Sequence, residues 1–240
     1  MTGAFLNALG ILIGALCGLA LRRPLPLRVQ VFCRSALGAA TVFFGLRLVW
    51  FSISGTFLSC VKQLIIALLA VVLGNWLGKL LRLQKISNRL GRHAGRLLSP
   101  APAPAPRRLA DGFMACTILF CAAPLGLLGA MTDGLADYFY LLAVKAVMDG
   151  LAMTGLVKGF GWLTALSAFP VFAFLGVITF ACQFYARPWL EAHALVTAVD
   201  AAAGLIACAV ALIIFEIRKV ELANYLPALA VAPLLAWLFR

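Results

Sequence analysis

The sequence predicts an all-α integral membrane protein with about eight transmembrane helices. Of its 240 residues, 64% are hydrophobic and only 12% are charged, whereas an average soluble domain has about 25% charged residues. The mean hydropathy of +1.05 agrees with this composition. Several apolar runs also reach the roughly 20 residues that a helix needs to cross a bilayer. A soluble enzyme, a DNA-binding domain and a disordered protein are therefore excluded.

Eight apolar runs divide the chain. Polar or charged residues separate neighbouring runs, and the longest polar stretch follows the third run. The first run has no basic segment before it and no small-residue cleavage site after it, which favours a retained helix over a cleaved signal peptide. The predicted spans are 4–21, 35–54, 58–81, 110–131, 138–157, 161–185, 193–215 and 222–239.

The basic residues predict an orientation for these spans. The formal net charge is +12, and Lys and Arg concentrate in the segments after spans one, three, five and seven. The alternate segments are uncharged (53–57), acidic (132–138, with Asp133 and Asp137) or balanced (186–192). Because cytoplasmic loops carry the excess of Lys and Arg, we expect both termini to lie on the outer side. The same distribution favours membrane topology over nucleic-acid binding as the reason for the charge.

Residues 82–97 predict a basic amphipathic helix on the cytoplasmic surface. Basic residues recur every three or four positions and apolar residues follow one position behind them, a pattern typical of helices that lie in the membrane interface. Two roles stay open for the basic face, contact with anionic lipid and an anchor that sets topology. Residues 99–106 predict an extended spacer. The basic residues are Arg82, Lys85, Arg89, Arg92 and Arg96.

A weak internal similarity between 14–46 and 176–208 suggests an inverted repeat. Spans one to three would pair with spans six to eight, and the equivalents would run in opposite directions because they are an odd number of spans apart. This plan is common in secondary transporters. The chain would then be a single membrane domain with repeat one at 1–81, the basic helix and linker at 82–108, central spans at 109–160 and repeat two at 161–240.

Four charged residues fall well inside predicted spans, where an ionisable side chain costs at least about 2.5–3.5 kcal/mol. Lys145 and Asp149 are one helical turn apart in span five, so they can neutralise each other on one face. Arg47 and Asp200 are the other deep charges, and the four sum to zero. One interpretation is a central network that binds an ion or a substrate. The alternatives are an ion pair that only fixes packing, and an Arg47 that extends to the outer interface.

Prolines predict helix breaks at four places, Pro124, Pro170, Pro227 and Pro233. A proline within a helix leaves backbone carbonyls without partners, and in a bilayer such carbonyls must find new partners or line a cavity. Asn224 lies one turn before the third of these prolines. We therefore add Asn224 to the candidate binding residues.

Two ridges of glycine predict close helix packing. Small residues every fourth position let helix backbones approach each other in a membrane. The packing partner is either another helix of the same chain or a second subunit of a homo-oligomer. The ridges consist of Gly10, Gly14 and Gly18 in span one, and of Gly74 and Gly78 in span three.

The sequence carries no recognisable catalytic or cofactor motif. H-E-x-x-H, G-x-S-x-G and the nucleotide-binding glycine loops are all missing. The two histidines, His93 and His193, are far apart, and the seven cysteines include no C-x-x-C pair. We therefore expect no cofactor, no metal site and no enzymatic activity, with an intramembrane enzyme as the least supported class.

Five strings in the chain carry a resemblance to a known family. They are FLNALGILIG at 5–14, LFCAAPLGLLGAMTDG at 119–134, KAVMDG at 145–150, SAFPVF at 167–172 and RKVELANYLPALAVAPLL at 218–235. These strings resemble the YdfK/YqgA family of bacterial membrane proteins, domain of unknown function 554. The resemblance covers nearly the whole chain and implies an all-helical protein of the bacterial inner membrane, but it supplies no function. Four residues depart from the family pattern, because Leu175 stands where Gln is usual, Lys79 and Arg82 where acidic residues are usual, and Asp200 where Gly is usual.

Two functions of different classes are consistent with these features. The first is a secondary transporter or channel for a small ion or polar solute that uses the charges near the midplane. The second is a membrane scaffold or regulatory protein that transports nothing and works through helix packing and lipid contact. A cavity near Asp149 that opens to one side of the membrane would favour the first, and a fully packed interior would favour the second.

Overall fold

The computed structural model describes residues 1–21, 26–98 and 105–239, and all regular structure in these ranges is helical. Residues 22–25 and residues 99–104, which belong to the spacer predicted at 99–106, lie outside the described residues. The α-helices are α1 Thr2–Ala20, α2 Leu27–Ser52, α3 Phe57–Leu80, α4 Leu83–Leu97, α5 Ala105–Cys121, α6 Pro124–Ala136, α7 Tyr140–Phe160, α8 Ala168–Ala181, α9 Arg187–Ala192, α10 Val196–Ile214 and α11 Ala228–Leu238. Two 3-10 helices, Trp162–Ser167 and Leu222–Tyr225, precede α8 and α11, and a π-helix, Cys182–Ala186, follows α8.

The prediction of an all-α membrane protein is confirmed. Among the described residues, six helical segments are long and apolar enough to cross a bilayer: α1, α2, α3, α7, the continuous segment Trp162–Ala192 and α10. A seventh span is formed if the bent pair α5 and α6 counts as one, and the apolar segment Leu222–Leu238 is shorter. The count of eight spans and the inverted repeat stay predictions.

The four predicted helix breaks have different outcomes. Helix α5 ends at Cys121, α6 begins at Pro124 and the two are bent by 56°. Pro227 directly precedes α11, after a 3-10 turn, whereas Pro233 lies inside α11, which continues to Leu238. Pro170 lies in the first turn of α8, where proline is tolerated, and the sixth span changes from 3-10 to α-helix at Ala168, two residues before it.

The two segments predicted as outer loops, 132–138 and 186–192, are largely helical. Helix α6 continues to Ala136, and Asp133 is only 2% exposed. The Asp133 carboxylate accepts a hydrogen bond from the Gly3 N–H at 3.1 Å, and the positive end of the α1 dipole stabilises a negative charge there. The second segment forms α9, in which Arg187 pairs with Glu191 one turn later.

Glycines bring three pairs of helices into backbone contact. A Cβ atom on Gly14 of α1 would lie 2.1 Å from the carbonyl oxygen of Gly150 in α7. A Cβ atom on Gly45 of α2 would lie 2.9 Å from the carbonyl oxygen of Gly204 in α10. On α3, a Cβ atom on Gly78 would lie 2.1 Å from a backbone oxygen of the turn that precedes α11. Both predicted glycine ridges therefore pack against helices of the same chain.

Helix α6 lies between two apolar clusters of the interior. Its Leu125 and Leu128 belong to a cluster that includes Ile206 of α10 and Leu229 of α11. Its Ala130 belongs to a second cluster, formed with residues of α1, α5, α7 and α8. Helix α6 therefore packs against several helices at once, and α7 is one of them.

Candidate functional site

Lys145 and Asp149 form an ion pair in the interior of the bundle. The Lys145 ammonium donates a hydrogen bond to Asp149 Oδ2, and the two residues are 1% and 8% exposed. Helical geometry places side chains four residues apart on one face of α7, about 6 Å apart at Cβ. Either charge alone would be costly inside a bilayer, and pairing offsets part of that cost. The structure therefore brings these two candidate residues together.

The bent segment α5–α6 packs around the Lys145 side chain. The Lys145 Nζ atom lies 5.7 Å from the centre of the Phe120 ring, in the last turn of α5. In the first turn of α6, a Cβ atom on Gly126 would lie 2.8 Å from Lys145 Cε, so the glycine leaves room for the lysine stem. The same hypothetical Cβ atom on Gly126 would lie 3.3 Å from Leu175 Cδ2. Leu175, which departs from the family pattern, therefore borders the lysine.

Asn7 of α1 is the third polar side chain at this site, and our sequence analysis did not select it. It is 0% exposed, and its side-chain amide interacts with Asp149. Its Oδ1 and Nδ2 atoms are both buried without a hydrogen-bond partner of standard geometry, which costs about 1–3 kcal/mol for each group. Asn7 is also the only amide in the apolar run of α1, and that is the signal that could have identified it.

The α5–α6 break places two helix ends of opposite polarity beside the pair. The carbonyl end of α5 carries partial negative charge and the N–H end of α6 partial positive charge. On the side facing α4, the Ser87 hydroxyl donates to the Ala122 carbonyl at 3.4 Å. A cavity of about 440 Å³ lies between α4 and the break. It is lined by Ser87, Asn88, Gly91, Arg92, Leu119, Ala122, Ala123 and Pro124.

A second cavity, of about 530 Å³, lies between α2, α7 and α10. Met148 and Ala152, which flank Asp149 along α7, line this cavity. Its lining also includes the ion pair between Arg34 of α2 and Glu216, beyond the end of α10. Polar and charged groups therefore border a largely apolar cavity beside α7, and neither Lys145 nor Asp149 is among the residues that line it.

Arg47 and Asp200 lie apart from the central pair. The Arg47 guanidinium lies 5.5 Å from the centre of the Phe51 ring and 5.3 Å from that of Tyr140, in the range of cation–π interactions. The Oδ1 atom of Asp200 is buried without a hydrogen-bond partner, and the charge that acts on it is that of Arg187. Within the described ranges no ion pair joins Arg47 or Asp200 to the pair on α7, so the four charges form no common network in this structure.

Asn224 ties α4 to the base of α11, away from the central pair. Its Oδ1 atom accepts the backbone N–H of Gln84 at 3.1 Å, and Gln84 Oε1 accepts the backbone N–H of Ala223 at 3.1 Å. Each side chain thereby satisfies a backbone donor at the start of the other helical segment. Asn224 Nδ2 also donates to Glu221 at 2.7 Å. These bonds give Asn224 a structural role.

The basic face of α4 is open. All five of its predicted basic residues are exposed, and in the part of the chain that the structure describes no acidic residue pairs with them. Two apolar side chains on the same helix, Ile86 and Leu90, are 54% and 42% exposed. The helix therefore presents positive charge and apolar surface together, as interfacial helices do.

Comparison with known proteins agrees with the helical membrane architecture. The chain is 28% identical to "Uncharacterized protein YqgA" of Escherichia coli (strain K12) over 231 residues, which cover 96% of this chain and 94% of that protein. It is 24% identical to "Uncharacterized membrane protein YdfK" of Bacillus subtilis (strain 168) over 244 residues, covering 100% of this chain and 97% of that protein. No solved structure matches the chain. The sequence model described as "Protein of unknown function (DUF554)" matches residues 2–237, and the chain therefore belongs to the DUF554 family.

Proposed function

We propose that the protein is a secondary transporter or channel that moves a small ion or polar solute across the bacterial inner membrane. The observation that carries the proposal is the buried Lys145–Asp149 pair, which lies beside the buried amide of Asn7 and the α5–α6 break. Intramembrane charges commonly mark an ion or substrate path. Transporter sites are likewise often built where a helix is discontinuous.

The depth of the pair supports this role. Lys145 and Asp149 are five and nine residues after Tyr140, the first residue of α7, and therefore about 8 and 14 Å along the helix. Helix α7 has 21 residues, which correspond to about 32 Å. The pair thus lies near the middle of a helix that is long enough to cross the bilayer.

The two cavities suggest a route on the predicted cytoplasmic side. One cavity lies between α4 and the break, and the other lies beside the Arg34–Glu216 pair. The predicted outer end is closed by aromatic side chains around Arg47. There the Tyr138 hydroxyl donates to the Phe44 carbonyl at 2.5 Å, and the Phe44 and Tyr140 rings stack at 4.6 Å. This arrangement fits a conformation that opens inward, with both chain termini outside.

Transport can be tested by flux into proteoliposomes that contain the purified protein. A panel of labelled alkali cations, anions, amino acids and other small polar solutes should include at least one substrate that enters faster than in empty vesicles. Replacing Asp149 with Asn should reduce that flux at least tenfold. Asp111→Asn is the matched control, because Asp111 is a carboxylate on α5 whose side chain remains 29% exposed, and it should leave the flux unchanged. Absence of any flux above empty vesicles would contradict the proposal.

The second candidate function is a membrane scaffold or regulatory protein that uses α4 to bind anionic lipid. The open basic face of α4 favours it, because each Lys or Arg near an anionic surface contributes about 1 kcal/mol of attraction. The test compares thermal unfolding in nanodiscs of phosphatidylglycerol and of phosphatidylcholine. The parent should be more stable in the anionic lipid, and the double variant Arg89→Gln, Arg92→Gln should lose most of the difference. Lipid-dependent stability without any solute flux would favour this candidate.

A further inference from the structure

We propose that the cavity between α2, α7 and α10 binds one phospholipid whose headgroup carries both a phosphate and a primary ammonium, as in ethanolamine phospholipids. Arg34 binds the phosphate, Glu216 binds the ammonium, and an acyl chain fills the apolar part of the cavity. The inference goes beyond the proposed transport function and does not depend on it, because Lys145 and Asp149 do not line this cavity. The bound lipid leaves the cavity beside α4 as the entrance of the proposed route.

The cavity exists because the first third of α2 stands away from its neighbours. Gly38 of α2 packs closely at the end of α10, where a Cβ atom on it would lie 2.6 Å from the Phe215 ring. Before Gly38, nearly all residues from 27 to 36 are exposed. On the facing side α7 contributes Gly155, where a Cβ atom would meet nothing within 4 Å. The result is an open space of about 530 Å³.

The cavity is apolar along α7 and charged at its mouth. The side chains of Arg34 and Glu216 are 48% and 70% exposed, so they lie at the opening. Ligand cavities are lined mainly by apolar side chains, with a few polar groups that fix the orientation of the ligand. A molecule with a charged head and an apolar tail therefore complements this lining. The apolar residues are Leu37 of α2, Met148, Leu151 and Ala152 of α7, and Ile213 and Ile214 of α10.

Both charged residues lie at the level of the lipid headgroups. Helix α10 has 19 residues, about 29 Å in length, which matches a hydrocarbon core of about 30 Å. Glu216 is two residues beyond its end. Helix α2 has 26 residues, about 39 Å in length, and therefore exceeds the core by about 9 Å. Arg34 is seven residues after the start of α2, which is about 10 Å along the helix, so it reaches the same boundary.

The charges at the mouth favour a zwitterionic headgroup. Arg34 and Glu216 are the charged residues among the described residues that line the cavity, and they pair with each other. A guanidinium has five N–H donors and a carboxylate has two oxygen atoms, so one ion pair leaves both groups able to bind a ligand. A phosphate accepts from Arg34 while a primary ammonium donates to Glu216, and both bonds are charge-assisted.

Other headgroups match this mouth less well. A headgroup whose only charge is a phosphate places a second negative charge beside Glu216. The quaternary ammonium of choline has no N–H to donate to the carboxylate. Ethanolamine supplies both the charge and the donors, so the site should prefer it over glycerol and choline headgroups.

The size of the cavity fits an acyl chain and does not fit a helix of a second copy. An α-helix with its side chains is about 10–12 Å wide, so a space of about 530 Å³ holds only about one turn of it. An acyl chain is much narrower, and it can pack against Met148 and Leu151, which line the cavity. The lipid is therefore the occupant that satisfies both the apolar lining and the charged mouth.

The test measures lipid binding to the purified, delipidated full-length chain in detergent. Phosphatidylethanolamine, phosphatidylcholine and phosphatidylglycerol with identical acyl chains are added in turn, and native mass spectrometry counts the lipids bound. We expect one molecule of phosphatidylethanolamine to bind with an affinity at least about tenfold higher than that of the other two lipids. Glycerophosphoethanolamine, which has the same headgroup and no acyl chains, should not bind at these concentrations.

A charge variant tests the headgroup contact. Glu216→Gln should lower the affinity for phosphatidylethanolamine to that for phosphatidylcholine, because the ammonium loses its carboxylate partner. Glu191→Gln is the matched control, since Glu191 is also an exposed carboxylate paired with an arginine and does not line the cavity. The control should keep the preference of the parent.

A second pair of variants tests the cavity itself. Gly155→Leu places a side chain in the open space and should weaken binding of phosphatidylethanolamine at least about tenfold. Gly159→Leu, one turn later on α7, also meets nothing within 4 Å at its Cβ atom, but Gly159 does not line the cavity. This variant should bind the lipid as the parent does.

Three results would overturn the inference. The first is equal affinity of the parent for the three lipids, and the second is a preference for phosphatidylethanolamine that persists in Glu216→Gln. The third is equal lipid binding by Gly155→Leu and Gly159→Leu, which would place the lipid outside the cavity. Binding of glycerophosphoethanolamine as tight as that of the lipid would identify a soluble solute as the ligand and would also contradict the proposal.

Discussion

At the scale of single residues, the interior of this protein is organised around one paired charge. Lys145 and Asp149 are tolerated among apolar side chains because each neutralises the other one turn away on α7. Removing one partner would leave an uncompensated charge in a medium where ions are poorly solvated. Removing both would leave an apolar contact. Stability measurements on single and double variants can therefore detect the coupling.

We predict that Lys145→Met and Asp149→Leu each destabilise the fold by about 3–5 kcal/mol. The double variant should be less destabilised than either single variant, because no lone charge remains buried. The measurement is reversible unfolding in detergent, followed by circular dichroism. Single variants as stable as the parent would mean that the two side chains are solvated and that the assignment of a buried site is incorrect.

A second residue that should affect stability in a measurable, pH-dependent way is Tyr138, in the turn between α6 and α7. Burial raises the pKa of the Tyr138 hydroxyl to about 12, above the value of about 10 for free tyrosine. Between these two pH values the unfolded chain loses the proton before the folded chain does. Stability should therefore fall as pH rises from about 10 to about 12, and the effect should be absent at lower pH.

Tyr138→Phe should remove this alkaline loss of stability. It should also cost about 0.5–1.5 kcal/mol at neutral pH, because the hydrogen bond to the Phe44 carbonyl is lost. Thermal unfolding midpoints at pH 8, 10 and 11.5 provide the measurement. Tyr185→Phe is the control, since that residue is 79% exposed, and its pH dependence should match that of the parent.

At the scale of helices, the molecule depends on backbone contacts that only glycine permits. Helices α1 and α7 cross where Gly10, Gly14 and Gly150 meet carbonyl groups of the facing helix. This contact also places Asn7 beside Asp149, so the packing of the two helices and the geometry of the candidate site are coupled.

We predict opposite effects for two alanine substitutions on α7. Gly150→Ala should destabilise the fold by about 1–3 kcal/mol, because its Cβ atom would lie 2.6 Å from the Gly10 carbonyl oxygen and would overpack the contact. Gly155→Ala meets no atom within 4 Å, and it should be neutral or stabilising by up to about 1 kcal/mol. Unfolding midpoints of the two variants test this contrast. Equal midpoints would show that the α1–α7 contact is looser than in the structure.

At the scale of the whole molecule, orientation in the membrane is the property that connects the cavities to a transport direction. The basic segments predict that α4 lies on the cytoplasmic side, and the structure ties α4 to the turn before α11 through Gln84 and Asn224. The cavity beside α4 would then face the cytoplasm. The cluster of aromatic residues near Arg47 would face outward.

Reporter fusions can test this orientation. A reporter inserted at Pro104 should show cytoplasmic activity, and one fused after Arg240 should show activity on the outer side. The expectation follows from the Lys and Arg content of the alternate segments, because cytoplasmic segments carry the excess of basic residues. Equal signals at the two positions would contradict both the count of eight spans and the inverted repeat, because an odd number of crossings must separate the two fusion sites.

The part of the fold that depends on composition and local pattern could be predicted without the structure. The high apolar content predicts a membrane protein. The long apolar runs predict helices, because the backbone must satisfy its own hydrogen bonds in lipid. The spacing of Lys145 and Asp149 determines that they share one helix face. Each of these properties is set by neighbours within a few residues, so the sequence contains them directly.

What only the tertiary structure decided is which distant residues meet. Asn7 reaches Asp149 because glycines let α1 and α7 pack backbone to backbone, whereas Arg47 and Asp200 lie on helices that hold them away from the pair. The chain bends sharply at Pro124 but continues through Pro170, because a proline in the first turn of a helix costs little. Such outcomes depend on contacts between helices far apart in sequence, and no local pattern specifies them.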